Sequence, residues 1–177
     1  MPRIAFISVH GCPLAELGTK NAGGMNVYIR DLAHSLGRLG FQVDILARVH
    51  NDGRPGIQEF DENTRVIHID AGPPDASKEA LFGYLPDFVA LVKAFQAQQG
   101  LSYQVLHTHY WLSGWVGQAL SQEWGIPHVT TFHTLAEIKT RARVGESEAT
   151  LRSVTESQVA AAADRIIVST SHEQVAL

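Results

Sequence analysis

The sequence has few of the features that place a chain outside the ordinary globular proteins. Its one cysteine, Cys12, excludes an internal disulfide, and the amino terminus enters a short apolar run without the hydrophobic region of a signal peptide. No run of 18 apolar residues occurs, so no transmembrane segment is expected. These absences predict a cytoplasmic protein.

Neither sign of charge dominates the chain. Lys and Arg total 14 against 18 Asp and Glu, which gives a net charge of −4 and argues against a nucleic-acid partner. Small anionic ligands stay possible wherever basic residues cluster locally. With 177 residues, of which 45% are hydrophobic, the chain is long enough for one well-buried domain.

Two common catalytic signatures are also missing. There is no GxGxxG dinucleotide fingerprint and no GxSxG nucleophile elbow. The chain has instead an apolar run, Ile4 to Val9, then a loop longer than the usual connection of about 2 to 6 residues, then an amphipathic helix from Gly24. Gly23 and Gly24 at the helix start favour close approach of an anion, and a tight turn without ligand is the alternative.

The rest of the pattern alternates strands and helices, which predicts a Rossmann-like α/β fold with a parallel sheet and helices on both faces. A helix from Pro86 has Phe88, Leu91, Val92 and Phe95 on one face, and a helix over Thr150 to Ala163 turns Leu151, Val154, Val159 and Ala162 inward. Further strands are expected at Phe41 to Ala47, Arg65 to Ile69, Val105 to His109, His128 to Phe132 and Arg165 to Ser169.

Near the end, Ser171 and Gln174 have the spacing of a capping box that begins a final helix. Because little sequence follows this start, we expect a fragment of a longer protein. A short terminal helix docked on the sheet is the alternative.

Polar residues follow several predicted strands, where an open parallel sheet binds its ligands. They are His10, the run His107 to Tyr110, His133 with Thr134, and the run Ser169 to Ser171. His107, His109 and His133 suggest zinc only weakly, because no motif ties a carboxylate to them, and we expect no metal and no cofactor. Five basic residues near the same edge could suit a phosphate: Lys78, Lys139, Arg141, Arg143 and Arg152. Of these, Lys139, Arg141 and Arg143 are interpreted as solvated surface charges.

The combination of short motifs resembles the N-terminal domain of retaining glycosyltransferases with the GT-B fold, glycosyltransferase family 4. Within it, the inositol-phosphate N-acetylglucosaminyltransferases of mycothiol biosynthesis are the most similar. The resemblance covers essentially the whole chain and rests on five segments: Ser8-Val9-His10, Pro13-Leu14-Ala15, Ala22 to Tyr28, His109 to Gly114, and His133-Thr134-Leu135.

The resemblance implies a role for each matched position. His133 would be the catalytic-site residue beside the donor sugar, and Gly23 and Gly24 would face the donor diphosphate. The acceptor would be held by six residues, the last four on its phosphate: His10, Asn26, Lys78, Tyr110, Thr134 and Arg152.

The resemblance further implies a two-domain enzyme of which residues 1–177 are the acceptor-side domain. The nucleotide-sugar donor would bind mainly to a C-terminal domain absent from this chain, so the fragment alone is expected to be inactive. Two alternatives stay open: a related transferase with another sugar or sugar-phosphate acceptor, and a non-catalytic binding module for a phosphorylated polyol.

Overall fold

A seven-stranded sheet forms the centre of the protein, seen in a computed structural model that describes residues 1–15, 23–50, 56–138 and 150–176. The strand order is β3-β4-β2-β1-β5-β6-β7, and every neighbouring pair is parallel except β3 with β4. The strands are β1 (Arg3–Ser8), β2 (Gln42–Arg48), β3 (Gly56–Asp61), β4 (Thr64–Ile69), β5 (Val105–His109), β6 (His128–Thr131) and β7 (Arg165–Ile166).

Helices cover both faces of the sheet, as the alternating pattern predicts. They are α1 (Gly24–Arg38), α2 (Lys78–Leu81), α3 (Leu85–Gln98), α4 (Trp111–Trp124), α5 (Thr150–Ala162) and α6 (Ser171–Ala176), with a 3₁₀ turn at Phe82–Tyr84. Among the described residues, no helix is long and apolar enough to cross a membrane.

Strand alternation divides the core into two layers. In β1, Phe6 points to the α1 side with Ile29, while its neighbours Ala5 and Ile7 point to the side of α3 and α4. All four side chains are fully buried. Because central parallel strands are covered on both faces, they read as continuous apolar runs, which is why β1 and β2 are recognisable in the sequence.

Strand β3 is missing from the sequence interpretation. It pairs antiparallel with β4 at the sheet edge, and its first four residues, Gly56 to Glu59, are exposed. An exposed edge strand carries no buried apolar run, so hydrophobicity alone does not reveal it. The run Asn51-Asp52-Gly53, whose composition is typical of a turn, lies outside the described residues.

Two helices differ in detail from the prediction. Leu151 and Val154 of α5 are 40% and 49% exposed, so their predicted inward placement is wrong. Ala162 is exposed as well, so of the four residues predicted inward Val159 alone is buried, and it shares the inward face with Arg152, Thr155 and Glu156. Leu91 of α3, also predicted on the apolar face, is 41% exposed.

The cap of the last helix is shifted by one residue from the predicted Ser171 and Gln174 pair. Thr170 Oγ1 accepts from the Glu173 amide, 3.1 Å away, and the Glu173 carboxylate accepts from the Ser169 amide, 2.9 Å away. Thr170 therefore caps the helix as in a capping box, except that Glu173 accepts from the amide of the residue before the cap and not from the amide of the cap itself.

Candidate functional site

The strand order reverses between β1 and β5, which run side by side although they are distant in sequence. At such a switch point the loops leaving the two strands separate and open a crevice at the carboxyl edge of the sheet. His10 follows β1 and Tyr110 follows β5, and their ring centroids are 5.3 Å apart across this crevice. Two of the predicted site residues therefore meet at the expected place.

Two cations lie close to the Tyr110 ring. Lys78 Nζ is 5.7 Å from the Tyr110 ring centroid, and Arg152 Cζ is 5.0 Å from it, both within the range of a cation–π contact. Lys78 comes from α2 and Arg152 from α5, so the fold brings together residues 74 positions apart in the chain. We call Tyr110 and its neighbours His10, Lys78, Thr134 and Arg152 the cationic cluster.

Arg152 is held by hydrogen bonds and is only 2% exposed. Its Nη2 donates to the Thr134 carbonyl at 2.7 Å and to Thr134 Oγ1 at 3.1 Å, and its Nε donates to Glu156 Oε1 at 2.7 Å. The other Glu156 oxygen accepts from the Ala136 amide at 2.8 Å. Arg152 therefore fixes the Thr134 loop to α5, while Lys78, half-buried, is the more accessible cation of the two.

The crevice is electropositive, which is visible in the ionisation of His10. Burial lowers the pKa of His10 to about 3, and four nearby basic groups add to the effect: Lys78, His50, Arg48 and Arg152. His10 is therefore neutral at physiological pH. Arg48 is the last residue of β2 and His50 lies two residues beyond it. Neither was predicted as a site residue, although a position at the end of an apolar strand is the signal that identified the others.

Arg48 shapes the approach to Lys78. It is 2% exposed, and its guanidinium donates to the carbonyls of Pro73 at 2.8 Å and Pro74 at 3.2 Å. These prolines precede α2, which begins at Lys78. Arg48 therefore fixes the position of the segment that precedes Lys78.

Gly23 and Gly24 lie at the start of α1, as predicted. Gly23 is the N-cap and has no side chain to cap the helix, and both glycines are exposed. A Cβ atom at either position would meet no atom within 4 Å, so packing does not require glycine there. The first amides of the helix are open to an approaching group.

Asn26 has a contact of its own within the first loop. Its side chain is 2% exposed, and its Nδ2 donates to the Cys12 carbonyl at 2.8 Å. A Cβ atom on Gly11 would lie 2.6 Å from Asn26 Oδ1, so glycine is needed for this close approach. Asn26 thus ties α1 to the loop that follows His10.

The three histidines considered for zinc do form one cluster. The His107 and His109 ring centroids are 4.3 Å apart, and those of His109 and His133 are 5.3 Å apart, with Tyr28 edge-on to His133. Three of their ring nitrogens, however, are engaged in hydrogen bonds. His109 Nδ1 lies 3.1 Å from His133 Nε2, and His107 Nε2 lies 2.9 Å from Thr131 Oγ1. Within the described ranges, no group of three potential ligands is arranged around a metal position.

Three basic residues that the sequence predicts as solvated charges follow His133 along the chain. Lys139, Arg141 and Arg143 lie outside the described residues. A surface hollow of about 640 Å³ between α4 and α5 is separate from the cationic cluster, and it is lined by Trp115, Gln118, Ala119, Gln122, Gln158, Ala161 and Ala162. None of these side chains titrates, so we place the site in the crevice instead.

Comparison with known proteins identifies the family. Residues 23–177 match the Glycosyl transferase 4-like domain. The chain belongs to this family. The resemblance drawn from the sequence motifs is confirmed, and the Rossmann-like α/β fold class is the one that this glycosyltransferase family uses.

The curated relatives are much longer than this chain. A D-inositol 3-phosphate glycosyltransferase from Corynebacterium urealyticum is 44% identical over 97% of this chain but only 41% of its own length. A second, from Xylanimonas cellulosilytica, is 40% identical over 97% of this chain and 42% of its own length. The chain thus spans about two fifths of these curated relatives.

A solved structure shows the same arrangement. A sucrose-phosphate synthase from Thermosynechococcus elongatus superposes with a TM-score of 0.90 at 37% identity, over 99% of this chain and 44% of that one. Both groups of relatives have names that include a phosphorylated sugar or polyol. The superposition shows that this chain and the synthase share the same sheet and the same surrounding helices.

Proposed function

We propose that this chain is the acceptor-side domain of a retaining glycosyltransferase. The enzyme transfers a sugar from a nucleotide-sugar donor to a phosphorylated polyol or sugar, with inositol phosphate as the first candidate. The donor binds mainly to a C-terminal domain beyond this chain, and turnover requires both halves. The proposal places the enzyme in the cytoplasm, as the sequence predicts.

The cationic cluster is the observation that carries the proposal. Lys78 offers an ammonium group, Thr134 an exposed hydroxyl and Tyr110 a phenol, and Arg152 supports them from within the fold. Donors of three different types, brought to the neighbourhood of the Tyr110 ring, suit the oxygens of a phosphate monoester. The neutral His10 beside them offers a hydrogen bond to a hydroxyl of the same acceptor without adding charge.

The donor side is assigned to the start of α1 and to His133. Exposed helix amides at Gly23 and Gly24 favour the diphosphate, because the positive end of the helix dipole faces it. His133 lies beside the donor sugar. No protein nucleophile is assigned, so catalysis rests on holding both substrates in line and on stabilising the departing diphosphate.

Lys78 is the residue to test first, because Arg152 also supports the fold. We expect Lys78→Ala to weaken binding of inositol 3-phosphate by about tenfold to a hundredfold, since a charge-assisted hydrogen bond contributes about 1.5 to 3 kcal/mol. Binding of unphosphorylated inositol should change little. Calorimetric titration of both ligands, and of a hexose phosphate with its free hexose, measures the difference.

Lys93→Ala is the matched control. Lys93 lies on α3 and pairs with Glu123 at 2.6 Å on the surface, so its loss removes the same charge away from the crevice. It should leave both affinities unchanged. Equal losses for the phosphorylated and the free ligand in Lys78→Ala, or equal effects of the two lysine variants, would refute the phosphate assignment. Preferential binding of the hexose phosphate would favour the other acceptor class.

A further inference from the structure

His109 ends β5 beneath His133 and is the most enclosed histidine of the cluster. Its side chain is fully buried, and its Nδ1 lies 3.1 Å from His133 Nε2. The rings of Phe6 and His107 pack against it with centroids at 5.1 and 4.3 Å. His109 therefore reaches a ligand only through His133, which is partly exposed.

Both imidazoles are neutral in the folded protein. Burial lowers the pKa of His133 to about 4, and burial with the neighbouring His107 and His133 lowers the pKa of His109 well below its usual range. Two neutral rings that share one hydrogen bond must divide the roles, one as donor and one as acceptor. The choice fixes the tautomer of each ring, because a neutral imidazole carries a single N–H.

The second nitrogen of His109 decides which ring donates. His109 Nε2 is buried and has no hydrogen-bond partner in the part of the chain that the structure describes. If His133 donated, His109 would carry its hydrogen on Nε2, as a buried N–H without an acceptor, which folded proteins seldom tolerate. If His109 Nδ1 donates, only a lone pair is left at Nε2. The second arrangement is the less costly one.

We propose that His109 is a positioning residue that donates from Nδ1 to His133 Nε2 and so holds His133 as its Nδ1–H tautomer. His133 then presents an N–H donor, and no lone pair, at the carboxyl edge of the sheet. It binds an oxygen that accepts, such as a hydroxyl or ring oxygen of a sugar. The statement about the sugar rests on the proposed function, whereas the tautomer does not.

Nitrogen NMR tests the tautomer directly. In long-range ¹H–¹⁵N spectra at pH 7.5, with histidines assigned by substitution, we expect Nδ1 of both His109 and His133 to have a pyrrole-like shift and Nε2 a pyridine-like shift. A pyrrole-like shift at His109 Nε2 would overturn the proposal. The wild-type spectrum gives this answer whether or not any variant folds.

Two variants then separate positioning from packing. His109→Asn keeps an N–H donor near the Nδ1 position, so His133 should stay in the Nδ1–H form. His109→Leu fills the buried space without a donor, so His133 should move to the Nε2–H form that a free imidazole prefers. The same His133 tautomer in both variants, with circular dichroism unchanged, would show that packing and not His109 sets it.

The same samples keep this inference apart from the proposed function. Titration with inositol 3-phosphate reports on the cationic cluster, which does not include His109. If NMR shows the expected tautomers but inositol 3-phosphate does not bind, the proposed function is refuted and the tautomer assignment stands. If inositol 3-phosphate binds but NMR shows the opposite tautomers, the inference is refuted and the proposed function stands.

Discussion

Tyr110 has a backbone conformation that is rare outside glycine, with φ 78° and ψ 159°. Its amide donates to the Thr131 carbonyl at 2.9 Å and its carbonyl accepts from the Gly114 amide at 2.9 Å, which fixes both sides of the residue. His133, two residues beyond the end of β6, also has positive φ, 64°. Such conformations cost about 1 to 3 kcal/mol and concentrate at functional sites. Both residues with this conformation belong to the candidate site.

Arg152 and Glu156 form the buried ion pair of the site, and their loss should be costly for folding. Arg152→Ala leaves the Glu156 carboxylate, 6% exposed, without its cation, so we expect the free energy of unfolding to fall by about 3 to 5 kcal/mol. Urea unfolding measures the change.

Lys93→Ala provides the comparison for this second test, because it removes one member of an exposed pair. Exposed pairs contribute about 1 kcal/mol or less, so this variant should be nearly as stable as the wild type. Similar losses in Arg152→Ala and Lys93→Ala would contradict the structural role of the buried pair. They would also restore Arg152→Ala as a clean probe of phosphate binding.

At the level of elements, the sequence predicts the sheet well and the buried polar faces poorly. The strand-end rule located His10, Tyr110 and His133, because carboxyl ends of parallel strands share one edge. The helical period of α5 was recognised but its phase was wrong. Apolar periodicity assumes that charges face water, whereas Arg152 and Glu156 are turned inward and paired.

Other features of the site require the folded structure. Nothing in the local sequence of His109 shows that its Nδ1 meets His133, 24 positions away, because the contact depends on the register of β5 with β6. The hold of Arg48 on the Pro73 and Pro74 carbonyls is equally non-local. Edge strand β3 is not predicted from the sequence because it buries little apolar surface.

Helix α4 approaches the sheet closely at one glycine. A Cβ atom on Gly117 would lie 2.3 Å from Thr108 Cγ2 and 2.6 Å from His128 Nε2, so α4 would have to move away from β5 and β6. We expect Gly117→Ala to destabilise the fold by about 1 to 3 kcal/mol, even though alanine favours a helix by about 1 kcal/mol over glycine. Chemical denaturation checks this value.

Gly24→Ala is the control for that substitution, because its Cβ atom would enter open space at the start of α1. Its stability should match or slightly exceed that of the wild type. A stable Gly117→Ala protein would mean that α4 has room to shift. A destabilised Gly24→Ala protein would mean that the first turn of α1 needs glycine for folding.

At the level of the whole molecule, buried neutral histidines make folding sensitive to acid. Burial lowers the pKa of His10 to about 3 and the pKa values of His107, His128 and His133 to about 4, against about 6.5 when unfolded. Between these limits the unfolded chain binds protons that the native protein does not. The free energy of unfolding must therefore fall as pH is lowered from 6.5 towards 4.

The slope of that fall is the measurable quantity, since each such histidine contributes up to about 1.4 kcal/mol per pH unit. His128→Gln removes one of them at a site 1% exposed, so stability, measured by urea unfolding from pH 7.5 to 4.5, should decline less steeply than in the wild type. His172→Gln, on the exposed side of α6, should leave the slope unchanged. Parallel slopes in the two variants would show that His128 takes up its proton in the folded protein, and that the acid sensitivity has another source.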